Sequence, residues 1–140
     1  MIGSVVLAVF LVNGPASAGP DDGVTPHIVR DTHTAVSRVS GNGKATVWQL
    51  AGEEEGAKNA FFGVLALAPG AKVPVHRDAT EEYIYILSGT GEITIDGQTT
   101  AVGPGFGIFM PAGAEVRFEV TGTEGVRAVQ FFAGQGPEAK

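Results

Sequence analysis

Residues 70–91 read GAKVPVHRDATEEYIYILSGTG, and the alternation within them decides the fold. Successive side chains of a strand point to opposite faces. Glu82, Ile84 and Ile86 therefore share one face, and Tyr83, Tyr85 and Leu87 share the other. His76 and Asp78 have the parity of Glu82, so all three face one way if the loop between them preserves it; Glu81 then points out. Both faces of this strand are apolar enough to be covered, one by a second sheet and the other by a neighbouring subunit. An imidazole and two carboxylates facing an apolar interior are costly unless they pair or bind something.

Working outward, the chain reads as short strands separated by turn signals. The expected strands are His27–Thr34, Ala45–Leu50, Phe61–Leu67, Lys72–His76, Glu82–Leu87, Glu92–Asp96, Gln98–Val102, Gly107–Met110, Glu115–Val120 and Val126–Phe132. Asp96-Gly97, flanked by alternating residues, asks for a two-residue type I′ hairpin turn, and Gly89-Thr90-Gly91 is a second tight turn. No helix pattern intervenes, so the fold class is all-β, a sandwich or barrel. Gly52–Asn59 is a polar interruption whose three glutamates read as a solvated loop, because adjacent side chains do not converge on an ion.

Composition sets limits. At 140 residues the chain makes one domain, and its 21 glycines and 8 prolines fit a turn-rich fold. The net charge of −6, with no cluster of Lys or Arg, argues against nucleic acid and anionic membrane surfaces as partners. There is no cysteine, which excludes disulfides and thiolate ligands. Ile2–Val12 is apolar but shorter than the roughly 20 residues a spanning helix needs, and Ala16-Ser17-Ala18 has the small residues of a cleavage site. The expected organisation is a signal peptide at 1–18, a linker at 19–25, a β-barrel domain at 26–134 and a polar tail at 135–140. The expected location is periplasmic or secreted, with no stable membrane anchor after cleavage.

Gly70, His76, Glu82 and Gly89 keep the spacing of the first motif of the cupin superfamily, and Gly105 with Pro111-Ala112-Gly113 keeps that of the second. The chain resembles this superfamily, in its type 2-like single-domain form, over about Phe61–Phe132. The resemblance implies a double-stranded β-helix or jelly-roll barrel, and a homodimer. It also implies a metal site of three histidines and a glutamate. Here Asp78 stands in the second histidine place, Val116 in the third, and Val120 where an asparagine is expected.

What survives is His76, Asp78 and Glu82, the candidate ligand-binding and metal residues. One imidazole and two carboxylates lean towards Mn²⁺ or Fe²⁺, and less towards Ni²⁺ or Zn²⁺. Three readings stay open: a barrel that binds a small molecule beside a degenerate metal site, a metal-dependent dioxygenase, isomerase or lyase, and a filled structural barrel. A metal-free acid–base site at His76 would need basic residues for an anionic substrate, and Arg117 is outward by parity. His27 and His33 read as exposed strand histidines, with a swapped N-terminal strand as the alternative. Gly103–Gly107 is no phosphate loop, since neither Lys-Ser/Thr nor a helix follows. Ser88 lacks a nucleophile-elbow context.

Overall fold

A computed structural model describes residues 28–134. The expected signal peptide, the linker, His27 and the polar tail lie outside these residues. Ten strands follow one another: β1 (Val36–Ser40), β2 (Ala45–Ala51), β3 (Phe61–Leu67), β4 (Lys72–His76), β5 (Glu82–Ser88), β6 (Gly91–Ile95), β7 (Gln98–Val102), β8 (Gly107–Met110), β9 (Val116–Val120) and β10 (Val126–Phe132). They form a six-stranded sheet, β1-β2-β3-β10-β5-β8, and a four-stranded sheet, β4-β9-β6-β7. All pairs are antiparallel. The architecture is all-β, as the strand pattern implied, and it is the jelly-roll barrel that the cupin resemblance implied.

The turns follow their residue types. Asp96 (φ 47°) and Gly97 (φ 85°) both occupy positive φ, as a type I′ turn requires, and Ile95 pairs with Gln98 across them. Gly89 (φ 81°) tolerates no other residue, because a Cβ there would run into the carbonyl oxygen of Gly125. This close approach lets the β5–β6 turn lie against the start of β10.

The N-terminal strand departs from expectation. Residues 28–34 are coil and turn, and the first strand is Val36–Ser40. Asp31 is the cause: its Oδ1 accepts from the backbone N–H of His33 (3.0 Å) and Thr34 (3.1 Å), while its carbonyl accepts from Ala35 (3.0 Å). An Asp side chain that satisfies the following amides competes with strand pairing. Pairing starts instead from Gly41-Asn42-Gly43, all at positive φ, which folds β1 back onto β2.

Between the sheets, Leu67, Ile86, Ile93, Met110, Val116 and Val120 belong to one buried apolar cluster. Register fixes which residues meet on the inner face of the larger sheet. One row across β3, β10, β5 and β8 is Phe61, Phe132, Glu82 and Met110. The next, begun on β2, is Gln49, Gly63, Gln130, Ile84 and Ile108. Polar side chains thus cluster towards one end of an apolar wall.

The outer face of the same sheet carries a second row, Phe62, Phe131, Tyr83 and Phe109. Tyr83 packs against both Phe109 (ring centroids 5.2 Å apart) and Phe131 (5.8 Å). Tyr85 and Leu87 extend it along β5, and all six side chains are exposed. The parity read from residues 82–87 is the one the strand adopts.

Candidate functional site

Two loops and two strand ends build the site. His76 ends β4, Asp78 lies in the connection that follows, and Glu82 opens β5. The 111–115 loop braces this connection. Gly113 donates its N–H to the Asp78 carbonyl (2.8 Å), and Arg77 donates to the Gly113 carbonyl (2.7 Å) and to Glu115 Oε2 (3.0 Å). Pro111-Ala112-Gly113, recognised from its spacing, therefore acts by holding the backbone of the residue beside His76.

The expected trio does converge. Nitrogen and carboxylate atoms of His76, Asp78 and Glu82 lie within 4.8 Å of one another. His76 donates Nδ1–H to the Pro74 carbonyl (2.8 Å), which leaves Nε2 facing Asp78 Oδ2 at 3.4 Å. A backbone carbonyl at one ring nitrogen fixes the tautomer and frees the other nitrogen to bind. The hydrogen bond with Asp78 raises the His76 pKa above its ordinary value, against the opposing effect of burial.

Glu82 is the most buried of the three, at 5% exposure. Burial pushes its pKa up to about 7; the Gln130 hydrogen bond opposes the rise and the Asp78 charge adds to it. Gln130 Nε2 donates to Glu82 Oε1 at 2.8 Å. Val116 is the register partner of His76 on β9, and puts an apolar side chain beside the imidazole.

The trio opens into a cavity of about 920 Å³ between the sheets. Its walls are mostly apolar, with Phe61, Leu65, Ile108, Phe118 and Phe132 among them. Ile84, Ile86, Val116 and Phe118 line this space instead of filling it, which counts against a filled barrel. The volume lies within the range of roughly 300–1,000 Å³ typical of small-molecule sites.

Other candidates are not brought to the trio. His33 is exposed in the Asp31 turn. Arg117 donates to Thr94 Oγ1 (3.2 Å) on the outer face of the smaller sheet and does not line the cavity. Glu53–Glu55 is not simply a solvated loop but a single turn of 3₁₀ helix. There the Glu55 side chain is 5% exposed, pairing with Arg30 (2.9 Å) and accepting from Gln49 Nε2 (2.6 Å). A buried carboxylate is tolerable when so paired.

Sequence reasoning missed Gln130. The signal was available: Val126, Ala128, Gln130 and Phe132 share the inward parity of β10, and an amide among them is out of place. Its Nε2 is used by Glu82, while Oε1 is buried without a hydrogen-bond partner among the described residues. Such an orphan atom costs about 1–3 kcal/mol.

The sheet order, the cavity and the trio at its polar end define a two-sheet β-barrel with a hollow interior. The family profile described as Cupin domain matches residues 63–132, half of the chain, and the protein belongs to that family. Dimethylsulfoniopropionate lyase DddW of Ruegeria pomeroyi is 32% identical over 88 residues, which cover 63% of this chain and 57% of the relative. The chain thus spans little more than half the length of that curated relative. Among solved structures, the polyketide cyclase RemF from Streptomyces resistomycificus superposes with a TM-score of 0.68 at 23% identity, covering 79% of this chain and 82% of its own. A predicted oxalate decarboxylase from Thermotoga maritima gives 0.69 at 22%, covering 76% and 99%. At these identities the two structures show the shared fold.

Proposed function

We propose that this protein binds a small, largely apolar molecule inside its barrel and presents it to a divalent cation held by His76, Asp78 and Glu82. The observation that carries the reading is the cavity, with apolar walls and these three groups at one end. The donor set fits a cation. Its atoms span no more than 4.8 Å, close to twice a metal–ligand bond of about 2.1 Å. Nε2 of His76 and the two carboxylates would be the ligands, and the oxygen-rich set favours Mn²⁺ or Fe²⁺. Once bound, the ion would supply Lewis-acid polarisation of an oxygen on the bound molecule.

The chain's own groups then have separate tasks. Pro74 holds the imidazole with Nε2 available, Gln130 holds Glu82, and the apolar walls exclude water from the bound molecule. A metal-dependent lyase is the second reading, supported by the likeness to DddW together with the clustered trio.

The metal part is tested by elemental analysis of protein purified without a histidine tag. After reconstitution, the wild type is expected to hold about one equivalent of Mn or Fe, and His76→Ala at least tenfold less, since each ligand lost removes a large share of the affinity. A wild type with no stoichiometric metal under these conditions removes the cation from the proposal.

Export to the periplasm or outside the cell remains part of the proposal and rests on the Ile2–Ala18 pattern. No helix among the described residues is long and apolar enough to cross a membrane. The exposed aromatic row supports a further element, a homodimer in which the outer face of the six-stranded sheet meets a second copy.

A further inference from the structure

We propose that Gln130 selects what the barrel binds, favouring a neutral molecule that presents a hydroxyl or N–H donor at the end facing Glu82. The inference rests on the reading of the barrel as a small-molecule site, and it names the chemistry of the molecule.

Gln130 is 6% exposed and lines the cavity. The two ends of its amide are treated unequally: Nε2 is engaged by Glu82 at 2.8 Å, and Oε1 has no partner among the described residues. Gln49 provides the comparison, since it stands on the same inner row and lines the same cavity. Its amide is held from behind by Glu55, which Arg30 secures in turn. Gln130 has no comparable support in its row, because its neighbours are Gly63, with no side chain, and the apolar Ile84. The Glu82 bond accounts for Nε2 alone, so the amide oxygen has its use in the bound state.

The terminal amide torsion of glutamine is broad. A small turn about it would carry Oε1 towards a donor in the cavity that Gln130 lines. There Oε1 can only accept, which calls for a donor on the bound molecule. A carboxylate on that molecule would face Oε1 as acceptor against acceptor. A neutral donor meets a complementary site.

Three probes with one shared body test this by isothermal titration into the full-length protein as purified: p-cresol, toluene and p-toluate. The wild type is expected to bind p-cresol about tenfold more tightly than toluene, a difference of ~1.4 kcal/mol. In Gln130→Met the ratio should fall to about one, with toluene bound at least as well as before. Equal affinities for p-cresol and toluene in the wild type overturn the inference and leave the cavity reading standing. A preference that survives Gln130→Met, or p-toluate as the tightest probe, also overturns it, the latter because the barrel would then select an anion over a neutral donor. If none of the probes binds, the cavity reading falls and this inference with it. Should Gln130→Met fail to fold, the wild-type ratio of p-cresol to toluene still decides.

Discussion

Glu82→Gln will make the metal-free protein more stable at pH 8 by about 3 kcal/mol and leave it nearly unchanged at pH 4. The carboxyl of Glu82 is pushed from its ordinary 4.5 up to about 7, chiefly by burial. Between these two values the unfolded chain has released its proton and the folded chain keeps it. The unfolded state then binds fewer protons, so stability is full below pH 4.5 and declines as pH rises towards 7. A gap of about 2.5 units at 1.36 kcal/mol each gives the ~3 kcal/mol loss. His76 slopes the same way, for a different reason. Its raised pKa comes from the Asp78 partner, so its contribution is present below about 6.5 and is lost as pH rises through the folded value.

Glutamine at position 82 keeps an acceptor for Gln130 Nε2 and removes the charge, so it deletes the first slope and leaves the second. Urea denaturation midpoints of wild type and Glu82→Gln at pH 4, 6 and 8, in chelator, measure the difference. Parallel curves would show that Glu82 titrates normally in the folded chain. Adding Mn²⁺ should stabilise the wild type above pH 7 and not the variant, because a cation compensates the buried charge that burial alone disfavours.

Much of this site could be read from residues 70–91 because strand parity is a strong constraint. Once Glu82, Ile84 and Ile86 are inward, Tyr83, Tyr85 and Leu87 must be outward, and the structure places them so. Asp96-Gly97 was equally legible, since few residue pairs accept two positive φ values in succession. The first strand was not, because the alternation of residues 27–34 competes with a side chain, Asp31, that caps the amides following it. Local hydrogen bonding won over pattern.

Glu55 was misread for a related reason. A run of three acids looks solvated until Arg30, 25 residues away, is found beside one of them. Such a pairing is set by tertiary approach, which spacing does not carry. The cavity itself was illegible, since free volume between sheets depends on how far apart they sit and not on which residues face inward. Gln130 lay between these cases. Its parity was plain, but its meaning needed the position of Glu82 across the register.

In the proposed homodimer, Phe131→Arg is expected to weaken self-association at least a thousandfold without unfolding the barrel. Phe131 sits in the middle of the outer row, flanked by Phe62 on β3 and Tyr83 on β5, with Phe109 beyond. These residues with Tyr85 and Leu87 are 37–51% exposed. At roughly 200 Å² per large side chain, they alone present on the order of 500 Å² of apolar surface, more than half of the ~800 Å² each partner gives to a standard interface. A patch of this size supports the proposed contact surface.

Charge favours a second copy as the occupant. The chain carries −6 overall, yet the outward positions of β3, β10, β5 and β8 include one charged residue, Arg127, and it stacks over Trp48 at 5.3 Å. Two such faces can meet without bringing like charges together, which two copies of an acidic protein must otherwise do. In a twofold interface each substitution acts twice. Two arginines would then lose solvent amid aromatic rings, a cost of several kcal/mol, which corresponds to a thousandfold or more in affinity. Sedimentation velocity from 1 to 100 µM reads the outcome, with far-UV circular dichroism to show that the variant keeps its sheet. A wild type that stays monomeric at 100 µM would assign the aromatic face to a different partner. The same substitution also bears on the site, because Phe131 lies between Gln130 and Phe132 and backs the strand that holds Glu82. If pairing of the outer faces stiffens that strand, the monomeric variant should bind cation more weakly while its trio is intact. That loss, recovered at high protein concentration by a milder Phe131→Ala change, would tie assembly to the chemistry of the barrel.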